Sequence, residues 1–207
     1  MKLTIFGATG GTGRQLVEQS LAAGHEVTAL ARTPAKLGLT HPKLTVVQGD
    51  VLNPAQVANA VAGANAVLSA LGTSTDSPDG VLSNGVQHII GAMNAHGVKR
   101  IVAVSSLGVG DSKDQIPLAF KLLIQTMPLL KKSLHELEQM ETFLKQSNLD
   151  WIVVRPGGLT NHPPTGNYQF GLDRKIRPGR ISRGDVAAFM LKQLTDDTFV
   201  RKTPAVT

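Results

Sequence analysis

The sequence predicts an α/β protein, a doubly wound parallel sheet in a single domain spanning residues 1–207. Three observations carry this. Short apolar runs alternate with longer amphipathic segments, no Pro/Gly/Ser-rich linker or compositional shift divides the chain, and no internal repeat or low-complexity tract interrupts it. A chain of 207 residues is long enough to bury one continuous core.

Taken in order, the strand candidates are LTIF (3–6), VTAL (27–30), LTVV (44–47), AVLSA (66–70), IVAVS (101–105) and WIVV (151–154), which together make six parallel strands. Between them, residues 12–24, 54–62, 79–97 and 133–147 carry Leu, Val, Ile or Met at three- and four-residue spacings, the stripe with which a helix packs on a sheet. After WIVV the pattern loosens into RPGGLTNHPPTGNYQFGLDRKIRPGR. It tightens again in ISRGDVAAFMLKQL, where Ser182 is the expected N-cap and Asp185 the acid three residues on. Ligands of open parallel sheets bind beyond the carboxyl ends of the strands, so the loops after strands four to six are the expected substrate cleft.

Composition excludes several functions. The longest apolar stretch, PLAFKLLIQTMPLL, is broken by Lys121, Gln125 and Pro128 and cannot span a bilayer. The N-terminus begins directly on a strand-like run without the pattern of a signal peptide, which leads us to expect a cytoplasmic protein without membrane contact. Absence of cysteine removes disulfides and thiolate nucleophiles, and the six histidines are scattered without ligand spacing, so no metal site is expected. The formal charge of +6 is spread along the chain apart from Lys131-Lys132, and aromatics for stacking on bases are few. A small anionic partner is therefore expected rather than nucleic acid, on a monomer or weak homo-oligomer.

The stretch GATGGTG sits between the first strand and the first helix. A glycine-rich turn there lets the backbone approach a pyrophosphate, whose charge meets unpaired amides and the positive end of the helix dipole. The set expected to hold it is Gly7, Thr9, Gly10, Gly11, Thr12 and Gly13, spaced GxxGxxG. This strand–turn–helix context makes the sheet Rossmann-type. Where an acid at the end of the second strand would bind a ribose 2′-hydroxyl, the sequence has Arg32, nineteen residues past Gly13, with Lys36 one turn later. Two cations there suit a 2′-phosphate, which favours NADP(H) over NAD(H).

Asp50 in QGDV has two readings, acceptor for the adenine amine with Val51 packed on the ring, or cap of the helix ahead of Pro54. Leu71 and Gly72 end the fourth strand and are expected along the central riboses. Ser105 and Ser106 end the fifth, where a side chain either points into the cleft or caps the loop through backbone groups. Pro156, Gly157, Gly158 and Leu159 are expected to wall the nicotinamide, the two glycines alternatively giving only turn geometry. Ile116, Leu118, Phe120, Leu122, Leu123, Ile124, Met127, Leu129 and Leu130 read as core, with a cover over the cleft in residues 107–130 as the alternative.

IFGATGGTG, AGHEVTALAR, VVQGDVL, VAGANAVLSALGT, MNAHGVKRIVAVSS, PPTGNY and ISRGDVAAFML run in this order along the whole chain. In them the chain resembles the atypical branch of the short-chain dehydrogenase/reductase superfamily, and within it the flavin reductase and biliverdin-IXβ reductase family. The resemblance implies NADPH-dependent hydride transfer to free flavins such as FMN, as substrate rather than prosthetic group, and to linear tetrapyrroles. It also matches Ser106 to the family's active-site serine.

Two departures bear on mechanism. The Tyr-x-x-x-Lys pair of the superfamily is missing: Tyr168, the only tyrosine, has Leu172 four residues on. Gly158 stands where the flavin reductase pattern has a histidine. Loss of the tyrosine fits a conjugated acceptor, in which charge spreads over heteroatoms that water protonates, whereas an isolated ketone yields a localised alkoxide that needs a positioned acid. The alternative function is an NADP-sensing protein without turnover.

Overall fold

Alternation within the first strand, β1 (Lys2–Phe6), shows how the sheet comes to be covered on both faces. Leu3 and Ile5 join one apolar cluster and Phe6 the opposite one, while the buried Thr4 donates its hydroxyl to the Ala60 carbonyl at 2.7 Å. A computed structural model describes the whole chain except residues 75–76, 116–123, 125, 173–175 and 177.

The sheet runs β3 (Leu44–Gln48), β2 (Glu26–Ala31), β1, β4 (Ala66–Ser69), β5 (Arg100–Val104), β6 (Asp150–Pro156), β10 (Ala205–Val206) and β8 (Phe170–Gly171). Every neighbouring pair is parallel except β10 with β8. A separate parallel ribbon joins β7 (Gly158–Thr160) to β9 (Arg180–Ser182). Helix α1 (Gly11–Ala22) packs with α5 (Arg183–Lys192) over one face, where Leu16, Val17, Val186 and Phe189 meet Leu3, Ile5 and Ile152. On the other face α2 (Pro54–Val61), α3 (Ser83–Ala95) and α4 (Pro128–Gln146) bring Val57, Val86, Ile89 and Met140 against Val67, Ile101 and Val153.

All six expected strands form within a residue or two of their expected bounds. The sheet nevertheless extends past them: Ala205 pairs with Arg155, and Phe170 with Val206, in two-residue strands too short to show a period. The helix expected from residue 79 starts at Ser83, because Gly80 takes φ +76° and the Gly80 and Leu82 N–H groups donate to the buried Glu136 carboxylate at 3.0 Å each. The helix expected from residue 133 starts at Pro128, whose missing N–H is no loss in a first turn. Ser182 caps α5 as expected, its oxygen accepting from Asp185 N–H at 2.9 Å.

Met127 and Leu129, expected in the core, are 46% and 43% exposed, since they stand before and at the open start of α4. Ile116, Leu118, Phe120, Leu122 and Leu123 lie outside the described residues. Among the described residues, no helix is long and apolar enough to cross a membrane.

Candidate functional site

Strand order reverses between β1 and β4, and the loops leaving these two strands diverge to opposite faces. At their carboxyl ends a cavity of about 610 Å³ opens, within the size range of cofactor sites. It gathers Gly7, Thr9, Gly10, Gly11 and Thr12 from the first loop, Arg32 and Lys36 from the second, Asp50 and Val51 from the third, Leu71 and Gly72 from the fourth, and Ser105 and Leu159 from later in the chain.

The glycines of the first loop do different work. Gly7 has φ +74°, and a β-carbon on it would stand 2.3 Å from the Ala70 carbonyl oxygen. Gly13 lies outside the cavity lining; its β-carbon would stand 2.0 Å from the Gly7 carbonyl oxygen, so its bareness lets α1 start tight against the end of β1. Gly10, with φ −78°, has an ordinary backbone, and a β-carbon there would meet only the Gly7 oxygen at 3.3 Å. What its missing side chain leaves is room at the cavity. No protein group accepts from the Gly11, Thr12 or Gly13 N–H among the described residues, α1 has no acid in its first turn, and no side chain caps it. Three free donors at the positive end of a helix dipole form an anion cradle.

Arg32 and Lys36 are both exposed and form no ion pair among the described residues, Lys36 being presented by the short turn Pro34–Lys36. Asp50 accepts from the Leu52 N–H at 2.9 Å. It is not the helix cap: Asn53 holds that place, its side chain accepting from Ala55 and Gln56, because the residue directly before a proline at the first helical position is the one whose side chain reaches those amides. Val51 is fixed from behind by a 2.9 Å hydrogen bond between its carbonyl and His88 Nδ1, and Gly85 of α3 lets Val51 and Leu71 approach that helix.

At the other end of the cavity the two serines part. Ser105 borders the cavity with its hydroxyl committed to Glu141 Oε1 at 2.7 Å, in a buried pair with Arg155. Ser106 is outside the lining and donates to the Leu107 carbonyl at 3.0 Å, so its hydroxyl closes a local turn. Pro156, Gly157 and Gly158 are also outside the lining. Gly157 donates to Val206 and Gly158 to Gly179, and a β-carbon on Gly157 would stand 2.4 Å from the Gly179 oxygen, so Gly157 lets the chain leading into β9 approach. The residues of α4 that do face the cavity are Ser133 and Leu137, four apart, the spacing of the missing tyrosine–lysine pair. Ser133 shares a short hydrogen bond with Thr73, and Ser74 and Ser77 extend this hydroxyl rim.

Residues 7–197 match the family described as NAD(P)H-binding. The chain belongs to this NAD(P)H-binding family. An uncharacterised chloroplastic protein of Arabidopsis thaliana is 33% identical over 95% of this chain and 72% of its own length. The photosystem II assembly factor Ycf39 of Synechocystis is 27% identical over 98% of this chain, which spans 61% of that protein. Among solved structures, the anaerobillin reductase ChuY of Escherichia coli O157:H7 superposes with a TM-score of 0.82 at 25% identity, covering 100% of this chain and 96% of its own.

The cavity fits the cofactor class of the NAD(P)H-binding family. The free amides of α1 suit a diphosphate, Gly10 leaves it room, and Val51 with Leu71 offers an apolar slot for a ring. Sequence reasoning missed Thr73, Ser74, Ser77, Ser133, Leu137 and Arg183, which all line the cavity. Only the i, i+4 spacing of Ser133 and Leu137 was available as a signal.

Proposed function

We propose that this member of the NAD(P)H-binding family is an NADPH-dependent reductase of planar conjugated acceptors, free flavins and biliverdin-type linear tetrapyrroles. The carrying observation is the face that α4 turns to the cavity. Ser133 and Leu137 at tyrosine–lysine spacing leave it without the acid that an isolated ketone requires. A conjugated acceptor has no such need. Similarity to ChuY, whose name gives a bilin as substrate, supports the same class.

NADPH, when bound, provides the hydride. The protein's part is to hold the partners face to face and to exclude other poses. Leu71, Val81, Leu82, Leu137 and Leu159 give the cavity apolar walls, and the hydroxyls of Thr73, Ser74, Ser77 and Ser133 give it a polar rim for acceptor heteroatoms. Arg32 and Lys36 are the proposed 2′-phosphate contacts that set preference for NADPH. Ser105, oriented by Glu141, is the proposed hydroxyl at the nicotinamide end.

The test is NADPH oxidation by the purified protein with FMN, riboflavin, biliverdin and a quinone, against a simple ketone as control. The reading expects turnover with the conjugated acceptors and none with the ketone. Ketone reduction alone would defeat it. Cofactor binding without turnover on any acceptor would instead favour a non-catalytic NADP-binding role, a second reading to which the similarity to the assembly factor Ycf39 points.

A further inference from the structure

Arg183 opens α5 in the late ISRGDV block. Its side chain lies directly on the glycine loop: a β-carbon on Gly11 would stand 2.6 Å from Arg183 Cδ and 2.8 Å from Nε. The residue lines the same cavity as Gly10, Gly11 and Thr12. One guanidinium nitrogen, Nη1, donates to Asn161 Oδ1 at 2.7 Å, which tethers the group without neutralising it. No carboxylate pairs with Arg183 among the described residues. The acid nearest in sequence, Asp185, spends its oxygens on the Thr165 and Gly166 amides and the Ser182 hydroxyl.

A half-buried, tethered and unneutralised cation thus stands beside Gly11, at the end of α1 where the Gly11, Thr12 and Gly13 amides are free. We propose that Arg183 is a cofactor-binding residue that closes over the dinucleotide's diphosphate from the side opposite those amides, a clamp contributed by the chain's last helix. Planar guanidinium forks suit phosphate oxygens, and the Asn161 tether reduces the freedom lost when one is engaged. Arg32 and Arg183 then divide the ligand. Arg32 reads the 2′-phosphate that distinguishes NADPH, and Arg183 reads the diphosphate common to NADPH and NADH.

The proposal rests on the dinucleotide reading of the cavity, and fluorescence or calorimetric titration separates the two. Wild type that binds neither NADPH nor NADH refutes the cavity reading itself. Where wild type binds, Arg183→Met keeps the aliphatic stem on Gly11 and removes the charge. It should weaken NADPH and NADH by the same factor, about tenfold, and leave 2′-AMP, which has no diphosphate, unchanged. Arg183→Gln serves as a second charge-free variant, and Arg183→Lys should recover most of the affinity. Unchanged dinucleotide affinity in a charge-free variant with wild-type melting temperature would overturn the clamp, as would a loss confined to NADPH. A loss that the lysine variant does not relieve would also overturn the charge assignment.

Discussion

Arg155 on β6 grips Glu141 on α4 with two arms of its guanidinium, Nε to Oε1 at 2.9 Å and Nη2 to Oε2 at 2.6 Å, and both side chains are buried. The same Oε1 accepts the Ser105 hydroxyl, and Lys145 reaches Oε2 at 3.2 Å. The third arm of Arg155 holds Asp111 in the loop after β5. One buried pair therefore fixes the wall of the cavity to the sheet.

Removing one partner strands the other's charge in the interior. Glu141→Ala should cost about 3–5 kcal/mol, whereas Glu141→Leu combined with Arg155→Met should recover much of that loss. Urea unfolding measures both. A loss below about 1 kcal/mol for the single variant would show that the pair is not buried in solution.

The pair also sets acid sensitivity. Burial pushes the Glu141 carboxyl up, but the hydrogen bonds and charge of Arg155, with Ser105 and Lys145, outweigh this and hold it below its ordinary value of 4.5. Asp185 is lowered likewise: burial pushes it up, and the Thr165 and Gly166 amides with the hydroxyls of Ser182 and Thr165 prevail. A lowered native value means that the unfolded chain takes up the proton first as pH falls. The stabilisation from Glu141 is complete above its ordinary value and is lost as pH drops through the native one. Urea midpoints of wild type should thus fall steeply on acidification below about pH 5, and those of Glu141→Gln less steeply. Parallel curves would remove Glu141 from the acid response.

The glycine loop gives a contrast between two positions. Gly13→Ala would force a methyl group to 2.0 Å from the Gly7 carbonyl and should lower the melting temperature sharply with or without cofactor. At Gly10 a β-carbon meets only the Gly7 oxygen at 3.3 Å, so Gly10→Val should leave the fold intact while abolishing dinucleotide binding, since Gly10 lines the cavity. Equal thermal losses in the two variants would mean that both glycines serve packing alone.

For Arg32→Ala, NADPH affinity should fall by about 1.5–3 kcal/mol, roughly 10- to 150-fold, with NADH affinity unchanged. Its charge has no partner to strand among the described residues, so unfolding curves without ligand should overlay those of wild type. An unaltered ratio of kcat/KM between NADPH and NADH would place the 2′-phosphate elsewhere.

What the sequence disclosed follows from the range of each interaction. The six strands and the GATGGTG turn are local patterns of period and backbone need, and Arg32 lies a fixed step beyond them. Asn53 was legible too, as a capping residue type directly before Pro54. Ser133 and Leu137 face the cavity because of how α4 is rotated on the sheet, which an amphipathic stripe does not fix to the residue. Arg183 meets Gly11 only because α5 and α1 pack side by side, a contact between distant parts of the chain that no local pattern records. Strands β8 and β10 are two residues long each and have no period to read.

Ser106 bears on the chemistry itself. Resemblance gives it the place of an active-site serine, yet its hydroxyl donates to the Leu107 carbonyl and it stands outside the cavity lining. In that geometry it supports the loop after β5 through one neutral hydrogen bond, worth about 0.5–1.5 kcal/mol of stability, so Ser106→Ala should slow flavin reduction by no more than about thirteen-fold. An obligatory general acid would contribute on the order of 10²–10⁴-fold instead. Turnover of Ser106→Ala at saturating NADPH, in water and in deuterium oxide, distinguishes the cases. With water as the proton source, the solvent isotope effect is the same in both proteins. A thousand-fold loss with cofactor affinity intact would mean that the serine turns into the cavity during turnover and carries the proton there, which would end the case for an acceptor protonated by solvent.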